Sequence, residues 1–224
     1  MNNCWFITGT DTNVGKTIVG SLLLKYAKKL GYQTVGYKPV SSGVKKIYEK
    51  FKNNDAMTLQ KFSSIKLKYE EINPFCFREQ AAPHILSAKN NINISFKKLS
   101  LGLSELKRQS NWILIEGAGG WYTPLSNKNT YADWVLQEKI PVILVVGIKL
   151  GCINHAILTN HAILKYNLHF SGWIANNIFP KKKFHKENIL TLKKYLQAPF
   201  LGEIPYFKNI KKIYNYDLSL ILPQ

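Results

Sequence analysis

Short apolar runs alternate along this chain with longer stretches in which apolar residues recur every three or four positions. The short runs predict β-strands near residues 5–8, 34–37, 112–116, 142–146, 170–176 and 200–202. The longer stretches predict helices near 16–30, 56–62, 84–88, 95–109, 131–138, 154–166 and 186–195. Several strands are apolar on both faces, which is typical of parallel strands covered by helices. We therefore expect an α/β fold with a doubly wound, mostly parallel sheet.

Length and composition favour one globular domain over residues 1–224. The chain of 224 residues is long enough for a sizeable core, and 46% of it is hydrophobic. Two segments interrupt the regular pattern. Residues 44–54 are polar and lysine-rich, which predicts a mobile loop. From about residue 209 the chain reads as a loosely packed tail, in which 218–222 could pack back onto the body.

The sequence also favours a cytoplasmic protein. No apolar run reaches the ~18–20 residues that span a bilayer, so we expect no membrane association. The N-terminus has no basic segment followed by an apolar one, which an export signal would need. Cys4, Cys76 and Cys152 are odd in number and widely spaced, which indicates a reducing compartment.

The net charge of +18 raises the question of nucleic-acid binding. All but two of the 31 basic residues are lysines, the exceptions being Arg78 and Arg108, and the lysines are scattered. Base readout and bidentate phosphate contacts favour arginine. We therefore expect no specific nucleic-acid partner, only a weak, salt-sensitive attraction to polyanions.

A phosphate-binding loop is the strongest local signal. Residues 9–17 read GTDTNVGKT and join the first predicted strand to the first predicted helix. In such a loop the backbone N–H groups converge on phosphate oxygens, Lys16 reaches the terminal phosphates, and the Thr17 hydroxyl can coordinate Mg²⁺. Gly9 and Gly15 enclose five residues instead of the usual four. The strand–loop–helix context still favours a P-loop NTPase over an ordinary glycine-rich turn.

Polar segments follow several other predicted strands, and we expect them to form one site. They begin at Lys38, Glu116, Gly147 and Asn176. In doubly wound sheets ligands bind beyond the carboxyl ends of the strands. Glu116 ends a strand, where many P-loop proteins hold Mg²⁺ with an acid. Asp55 is predicted at the N-cap of the helix from residue 56, where capping alone would also justify an Asp.

Thr17, Asp55 and Glu116 together offer the oxygen ligands that Mg²⁺ prefers. Asp11, inside the loop, is a further acid that we expect close to the metal. The glycines of residues 117–120 let the backbone approach a substrate closely. A chain with these features alone is compatible with several kinds of P-loop ATPase.

Five segments together resemble the dethiobiotin synthetase family, ATP-dependent carboxylases of biotin synthesis. They are residues 9–17 (GTDTNVGKT), 36–43 (GYKPVSSG), 116–121 (EGAGGW), 145–155 (VVGIKLGCINH) and 201–205 (LGEIP). The resemblance implies that ATP and Mg²⁺ drive ring closure of 7,8-diaminononanoate with CO₂ to dethiobiotin, with release of ADP and phosphate. An amine captures CO₂ as a carbamate, the carbamate takes the γ-phosphate, and the second amine closes the ring.

The resemblance also implies residue roles. Lys38 is the catalytic residue, acting on the γ-phosphate or the carbamate. ATP is bound by Asn13, Val14, Gly15, Lys16, Thr17, Ile18, Asp55, Glu116, Gly117, Ala118, Gly119, Asn176, Asn177, Pro205 and Tyr206. Among these, Asn176 matches the adenine contact, and Pro205 with Tyr206 matches the segment that closes over the base. The substrate is bound by Thr12, Ser42, Gly151, Cys152 and Asn154. The last three begin a helix that binds the substrate carboxylate across a dimer interface, which implies a homodimer.

Some features depart from the family or leave alternatives open. Asn13 stands where the family often has an acid, which removes a charge near the triphosphate. Lys208, Lys211 and Lys212 make the tail more basic than in the family. An ordinary Asn-capped helix remains an alternative for residues 151–154. For the whole chain the alternatives are a switch or partitioning-type P-loop ATPase and a basic nucleic-acid-binding module.

Overall fold

Every predicted helix and strand is found in the predicted order, and the described residues contain four further strands and one further helix. The computed structural model describes residues 3–47, 50–181, 183–209, 213, 216 and 221–223. Its strands are β1 (Asn3–Gly9), β2 (Thr34–Tyr37), β3 (Val40–Ser41), β4 (Lys45–Ile47), β5 (Lys50–Lys52), β6 (Phe75–Cys76), β7 (Trp112–Glu116), β8 (Val142–Gly147), β9 (Phe170–Asn176) and β10 (Phe200–Ile204). Its helices are α1 (Lys16–Lys29), α2 (Asn54–Phe62), α3 (Tyr69–Ile72), α4 (Pro83–Lys89), α5 (Phe96–Gln109), α6 (Tyr131–Gln137), α7 (Cys152–Leu164) and α8 (His185–Tyr195).

A six-stranded sheet in the order β10-β9-β8-β1-β7-β2 forms the centre of the molecule. All of its neighbouring strands are parallel. From β1 the chain first builds the β7–β2 side and then crosses to the β8–β10 side, which makes β1 the switch point. The predicted doubly wound parallel sheet is therefore confirmed.

The core lies in two layers, one on each face of the sheet. Phe6 of β1 packs in one layer with α5, α6 and α7. Its neighbours Trp5 and Ile7 pack in the other layer with α1 and α2. This alternation follows the two-residue period of a strand, and it explains why both faces of β1 are apolar.

The predicted loop at 44–54 is wrong for the part that the structure describes. Strands β4 and β5 pair antiparallel there as a small hairpin, and residues 48 and 49 lie outside the described residues. The hairpin could not be read from the hydrophobic pattern, because its strands are polar and lysine-rich. The guanidinium of Arg78, a residue outside the hairpin, lies 4.0 Å from the ring centre of Phe51 in β5.

Several of the described tail residues contact the layer that contains α1. Ile213 is only 3% exposed in the layer with α1. The Tyr216 ring lies 5.0 Å from that of Phe207, and Lys25 donates to the Tyr216 carbonyl at 2.8 Å. Leu222 packs against the same layer, whereas 218–220 lie outside the described residues. No helix in the described part of the chain has the length and hydropathy to cross a bilayer.

Candidate active site

A cleft of about 610 Å³ opens at the carboxyl ends of β1, β2 and β7. It lies beside the switch point, where ligands bind in sheets of this type. Residues predicted from four separate parts of the sequence line it together. They are Thr12, Asn13, Gly15, Lys16, Thr17, Ile18, Lys38, Ser42, Asp55, Glu116, Ala118 and Gly119.

The loop before α1 has the backbone of a phosphate cradle. Gly15 is the N-cap of α1 and has φ +90°, a conformation that favours glycine. A Cβ at Gly15 would also collide with the amide of Asn176. Asn176 donates from Nδ2 to the Val14 carbonyl at 2.7 Å, so it holds the loop against β9. The positive end of α1 therefore faces the cleft with its first turn uncapped by any side chain.

Lys38 and Glu116 form a buried ion pair at the floor of the cleft. Lys38 Nζ lies 2.6 Å from Glu116 Oε1 and donates to the Gly117 carbonyl at 3.0 Å. Their side chains are 4% and 1% exposed. Thr17 Oγ1 donates to the same Glu116 oxygen at 2.9 Å. Strands β2 and β7 and the start of α1 thus bring their polar ends to one point.

The electrostatics of the floor follow from burial and from these neighbours. Burial alone would lower the pKa of Lys38, but the carboxylates of Glu116 and Asp55 raise it above its ordinary value. Burial raises the pKa of Glu116, and the Lys38 ammonium opposes that rise. Burial, and then repulsion from Lys38, lower the pKa of Lys16 to about 8. The ammonium groups of Lys16 and Lys38 repel each other in this buried cleft, which favours the binding of an anion there.

The sequence predicted Asp55 as the N-cap of α2, but in the structure Asp55 lies inside the helix. The helix begins at Asn54, and the Asn53 side chain caps it by accepting from the backbone N–H groups of Asp55 and Ala56 at 2.9 and 3.1 Å. The Asp55 carboxylate is therefore released from capping. Its Oδ2 lies 3.7 Å from Lys38 Nζ, and its side chain is 47% exposed at the cleft.

A cation fits the oxygens that remain. Glu116 Oε2 is buried and has no hydrogen-bond partner among the described residues. The Thr17 hydroxyl touches this carboxylate, and Asp55 lies across Lys38 from it. In the described chain no three His, Cys, Asp or Glu residues group as a ready metal site. A metal here would therefore need a hydroxyl, the carboxylates and ligand oxygens together, which is how Mg²⁺ is usually bound with nucleotides.

Asp11 was expected close to the metal, and in the structure its carboxylate pairs with Lys149. Its Oδ2 accepts from Lys149 Nζ at 2.7 Å, which ties the P-loop to the loop before α7. The hydrogen bond from Lys149 lowers the pKa of Asp11. Lys16 Nζ donates to the Asp11 carbonyl at 3.0 Å. Lys149 was not among the predicted site residues, although it lies in one of the glycine-rich segments that follow strands.

The residues expected to bind the base do not line the cleft, although Asn176 contacts the P-loop. Asn177 donates from Nδ2 to Glu203 Oε1 at 2.8 Å and to the Ile204 carbonyl at 2.7 Å. Tyr206 is 42% exposed just beyond β10, and Pro205 precedes it. Glu203 also accepts from His185 and pairs with Lys181 at 3.0 Å. The adenine contact of Asn176 stays a prediction, since its Nδ2 is engaged by the loop.

The start of α7 also lies outside the cleft. Gly151, with φ +88°, is its N-cap, and no side chain caps it, so the Asn-capped alternative is wrong. The helix begins at Cys152, whose side chain is 1% exposed and therefore packs in the core. Asn154 is exposed in the first turn. The Cys152 N–H already donates to the Lys149 carbonyl at 3.0 Å, whereas Asn154 is accessible to a ligand.

Comparison with known proteins places these features in context. A family model described as an AAA domain matches residues 4–213. The ATP-dependent dethiobiotin synthetase BioD of Buchnera aphidicola subsp. Acyrthosiphon pisum (strain 5A) is 57% identical over 220 residues, which cover 98% of each chain. The BioD of Buchnera aphidicola subsp. Baizongia pistaciae (strain Bp) is 49% identical over 224 residues, 100% of this chain and 99% of that one. BioD 1 of Escherichia coli (strain K12) is 52% identical over 206 residues, 92% of each chain.

Solved structures agree on the fold at much lower identity. The MinD cell division protein of Aquifex aeolicus has a TM-score of 0.58 and 16% identity, covering 95% of this chain and 86% of that one. A ParA family ATPase from Chlorobium tepidum TLS has a TM-score of 0.57 and 10% identity, covering 93% and 85%. At these identities the likeness extends to the fold alone.

Proposed function

This chain belongs to the ATP-dependent dethiobiotin synthetase family, and on that premise we propose that it is the ATP-dependent ligase that makes dethiobiotin. The substrates are 7,8-diaminononanoate, CO₂ and ATP, and the other products are ADP and phosphate. The relatives at 49–57% identity over nearly the whole chain carry this proposal. The ParA family ATPase and the MinD cell division protein resemble the chain at only 10–16% identity, which disfavours the switch or partitioning-type alternative.

The P-loop binds the triphosphate. Lys16 sits in the cleft at the start of α1, where the helix dipole also favours an anion. Ile18, Asn13 and Val14 shape the same loop. Thr17, Asp55 and Glu116 would hold Mg²⁺, which supplies neutralisation of phosphate charge when bound. The unpartnered Glu116 Oε2 supports this ligand set.

Lys38 is the catalytic residue of the proposal. Its ammonium faces the P-loop from the end of β2, with a pKa raised by the two carboxylates, so it stays charged. The carbamate oxygen forms its bond to the γ-phosphorus while the bond from that phosphorus to the ADP oxygen breaks. Lys38 stabilises the negative charge on the oxygens of the transferring phosphoryl group. The second amine then attacks the carbamoyl phosphate carbon, and phosphate leaves as the ring closes. No side-chain nucleophile is required.

Substrate binding involves Ser42 and Thr12 within the cleft, and Ala118 and Gly119 line the same cleft for ATP. Ser42 lines the cleft on the Lys38 side, and Thr12 lines it on the P-loop side. A carbamate between them would lie between Lys38 and the terminal phosphate. Asn176, Asn177, Pro205 and Tyr206 are proposed to bind the adenine, since they lie at or just after the carboxyl ends of β9 and β10, and Asn176 contacts the loop.

A homodimer with a shared site completes the proposal. The uncapped start of α7 lies outside the cleft of its own chain, so a second copy would have to present it to the substrate carboxylate. Leu150, just before the helix, is fully exposed, and Leu158 is 60% exposed on the same side of α7 as Asn154. These apolar side chains suit an interface between copies. We also propose a cytoplasmic location, which the three free cysteines support.

The direct test is phosphate release with and without the diamine. Purified protein with ATP, Mg²⁺ and bicarbonate should release phosphate only when 7,8-diaminononanoate is added, because the carbamate is the phosphoryl acceptor. Lys16→Ala provides the inactive control. Equal release without the diamine would support the switch-ATPase alternative and contradict the proposal.

The dimer is tested separately by dilution. Diamine binding should weaken as sizing shows the protein dissociating, because the carboxylate site would be lost. Leu158→Lys should shift the dissociation to higher concentration. Undiminished diamine affinity in a demonstrated monomer would place the carboxylate pocket within one chain.

A further inference from the structure

We propose that a buried hydrogen-bonded cluster, formed by Ser41 and Asn53 in the wall of the cleft and by Tyr69 and Asn73 behind them, positions the acceptor side of the reaction. We call it the rear cluster. The inference rests on the proposed function. Asn53, Tyr69 and Asn73 were not predicted as functional residues, and their side chains serve as positioning groups rather than catalytic ones.

Asn73 is the centre of the rear cluster. Its Oδ1 accepts from the Ser41 hydroxyl and from the Tyr69 hydroxyl, each at 2.7 Å. Its Nδ2 donates to the Lys38 carbonyl at 2.6 Å. Asn73 is 3% exposed, so these bonds are made away from water. The backbone of Lys38 is therefore held from behind by an amide whose orientation is set by two donors.

Asn53 extends the rear cluster to two other segments of the site. Its backbone N–H donates to the Tyr69 hydroxyl at 2.8 Å. Its Nδ2 donates to the Ser42 carbonyl at 3.1 Å, and its Oδ1 caps the helix that carries Asp55. The Tyr69 hydroxyl thus links Asn73, which holds the backbone of Lys38, to Asn53, which holds Ser42 and the helix that carries Asp55.

The P-loop is held by different contacts. The Thr10 N–H donates to the Val145 carbonyl at 3.1 Å, and Asn176 holds Val14. Loosening the rear cluster should therefore move Lys38, Ser42 and Asp55 relative to a P-loop that stays in place. Since a displacement of about 1 Å between reacting groups can cost 10²-fold in rate, such a change should act on the chemistry more than on nucleotide binding.

The test replaces the Tyr69 hydroxyl alone. Tyr69→Phe removes one donor from Asn73, one acceptor from Asn53 and the 3.4 Å contact with Cys76 Sγ, without changing the ring. The matched control is Tyr37→Phe, because Tyr37 is also buried and its hydroxyl donates to the Leu99 carbonyl of α5 at 3.2 Å. Both proteins are assayed at least 20 °C below the lower of their melting temperatures, so that the folded fraction is the same.

We expect Tyr69→Phe to lower kcat for diamine-dependent phosphate release at least tenfold and to raise the KM for the diamine. The Kd for an ATP analogue, measured without diamine and without Mg²⁺ so that Asp55 does not contribute through the metal, should change less than twofold. Tyr37→Phe should stay within twofold of the wild type in all three quantities. A second variant, Asn53→Ser, keeps a capping oxygen but loses the amide bond to Ser42, and it should raise the diamine KM about fivefold.

Three results would count against the rear cluster. If Tyr69→Phe matches Tyr37→Phe in kcat and in diamine KM, the cluster has no positioning role. If nucleotide and diamine affinity fall in parallel, its role is structural only. If the wild type releases no phosphate on adding diamine, the proposed function itself fails and takes this inference with it, an outcome that the wild type alone reveals.

Discussion

Replacing Lys38 with methionine should lower the free energy of unfolding as well as stop the reaction. The substitution keeps most of the side-chain volume and removes the charge that lies 2.6 Å from Glu116 Oε1. Glu116 is 1% exposed and would be left without its counter-ion. Breaking a buried pair from one side costs about 3–5 kcal/mol. At roughly 2–4 °C per kcal/mol for a chain of this size, the melting temperature should fall by roughly 6–20 °C.

The second substitution separates stability from catalysis. In Lys38→Met/Glu116→Gln no buried charge is left unpaired, and neutral replacements of buried pairs are often tolerated. We expect the double variant to recover at least about 2 kcal/mol of the loss, whereas its rate should remain at least ~10²-fold below wild type. A control on the surface is Lys89→Met, which breaks the exposed Lys89–Glu79 pair and should cost less than about 1 kcal/mol.

Urea unfolding gives the free energies, and phosphate release below the melting temperature gives the rates. The pH dependence supplies an internal check. Burial raises the pKa of Glu116, and without Lys38 the folded variant takes up a proton that the unfolded chain does not. The stability deficit of Lys38→Met should therefore shrink as the pH falls toward the ordinary range of a Glu. Equal urea midpoints for wild type and Lys38→Met, or a double variant no more stable than the single one, would refute the buried pair.

Three further outcomes follow from the geometry of the site. Burial and Lys38 lower the pKa of Lys16 to about 8, so the charged Lys16 side chain destabilises the folded state at neutral pH. Lys16→Met should therefore raise the melting temperature in thermal scans. The same variant should lower phosphate release at least ~10²-fold. For the same reason, calorimetric titration should show ATP affinity falling by about tenfold per pH unit above about pH 8, and Lys16→Arg, which stays charged, should abolish that slope. Gly15→Ala should abolish nucleotide binding in the same titration, because φ +90° and the Asn176 amide both exclude a Cβ, and normal binding would contradict that geometry.

The order and type of the main elements were determined by the sequence alone. Helix and strand periods are local properties, and three of the six main strands, at 34–37, 112–116 and 170–176, have the predicted bounds. The P-loop was also readable, because its glycines, Lys16 and Thr17 are contiguous. The hairpin at β4 and β5 was missed because its backbone pairing needs no apolar pattern, and the short α3 offers too few residues for a period.

The interior of the site was decided by the tertiary structure. Lys38 and Glu116 are 78 residues apart, and Thr17 and Glu116 are 99 apart. Nothing in a linear pattern shows that a strand-end lysine is half of a buried pair, or that Asn53, two residues before Asp55, takes over the cap. Local periodicity is written along the chain, but which polar ends meet depends on strand order, here the placing of β7 between β1 and β2, and that order results from packing over the whole sheet.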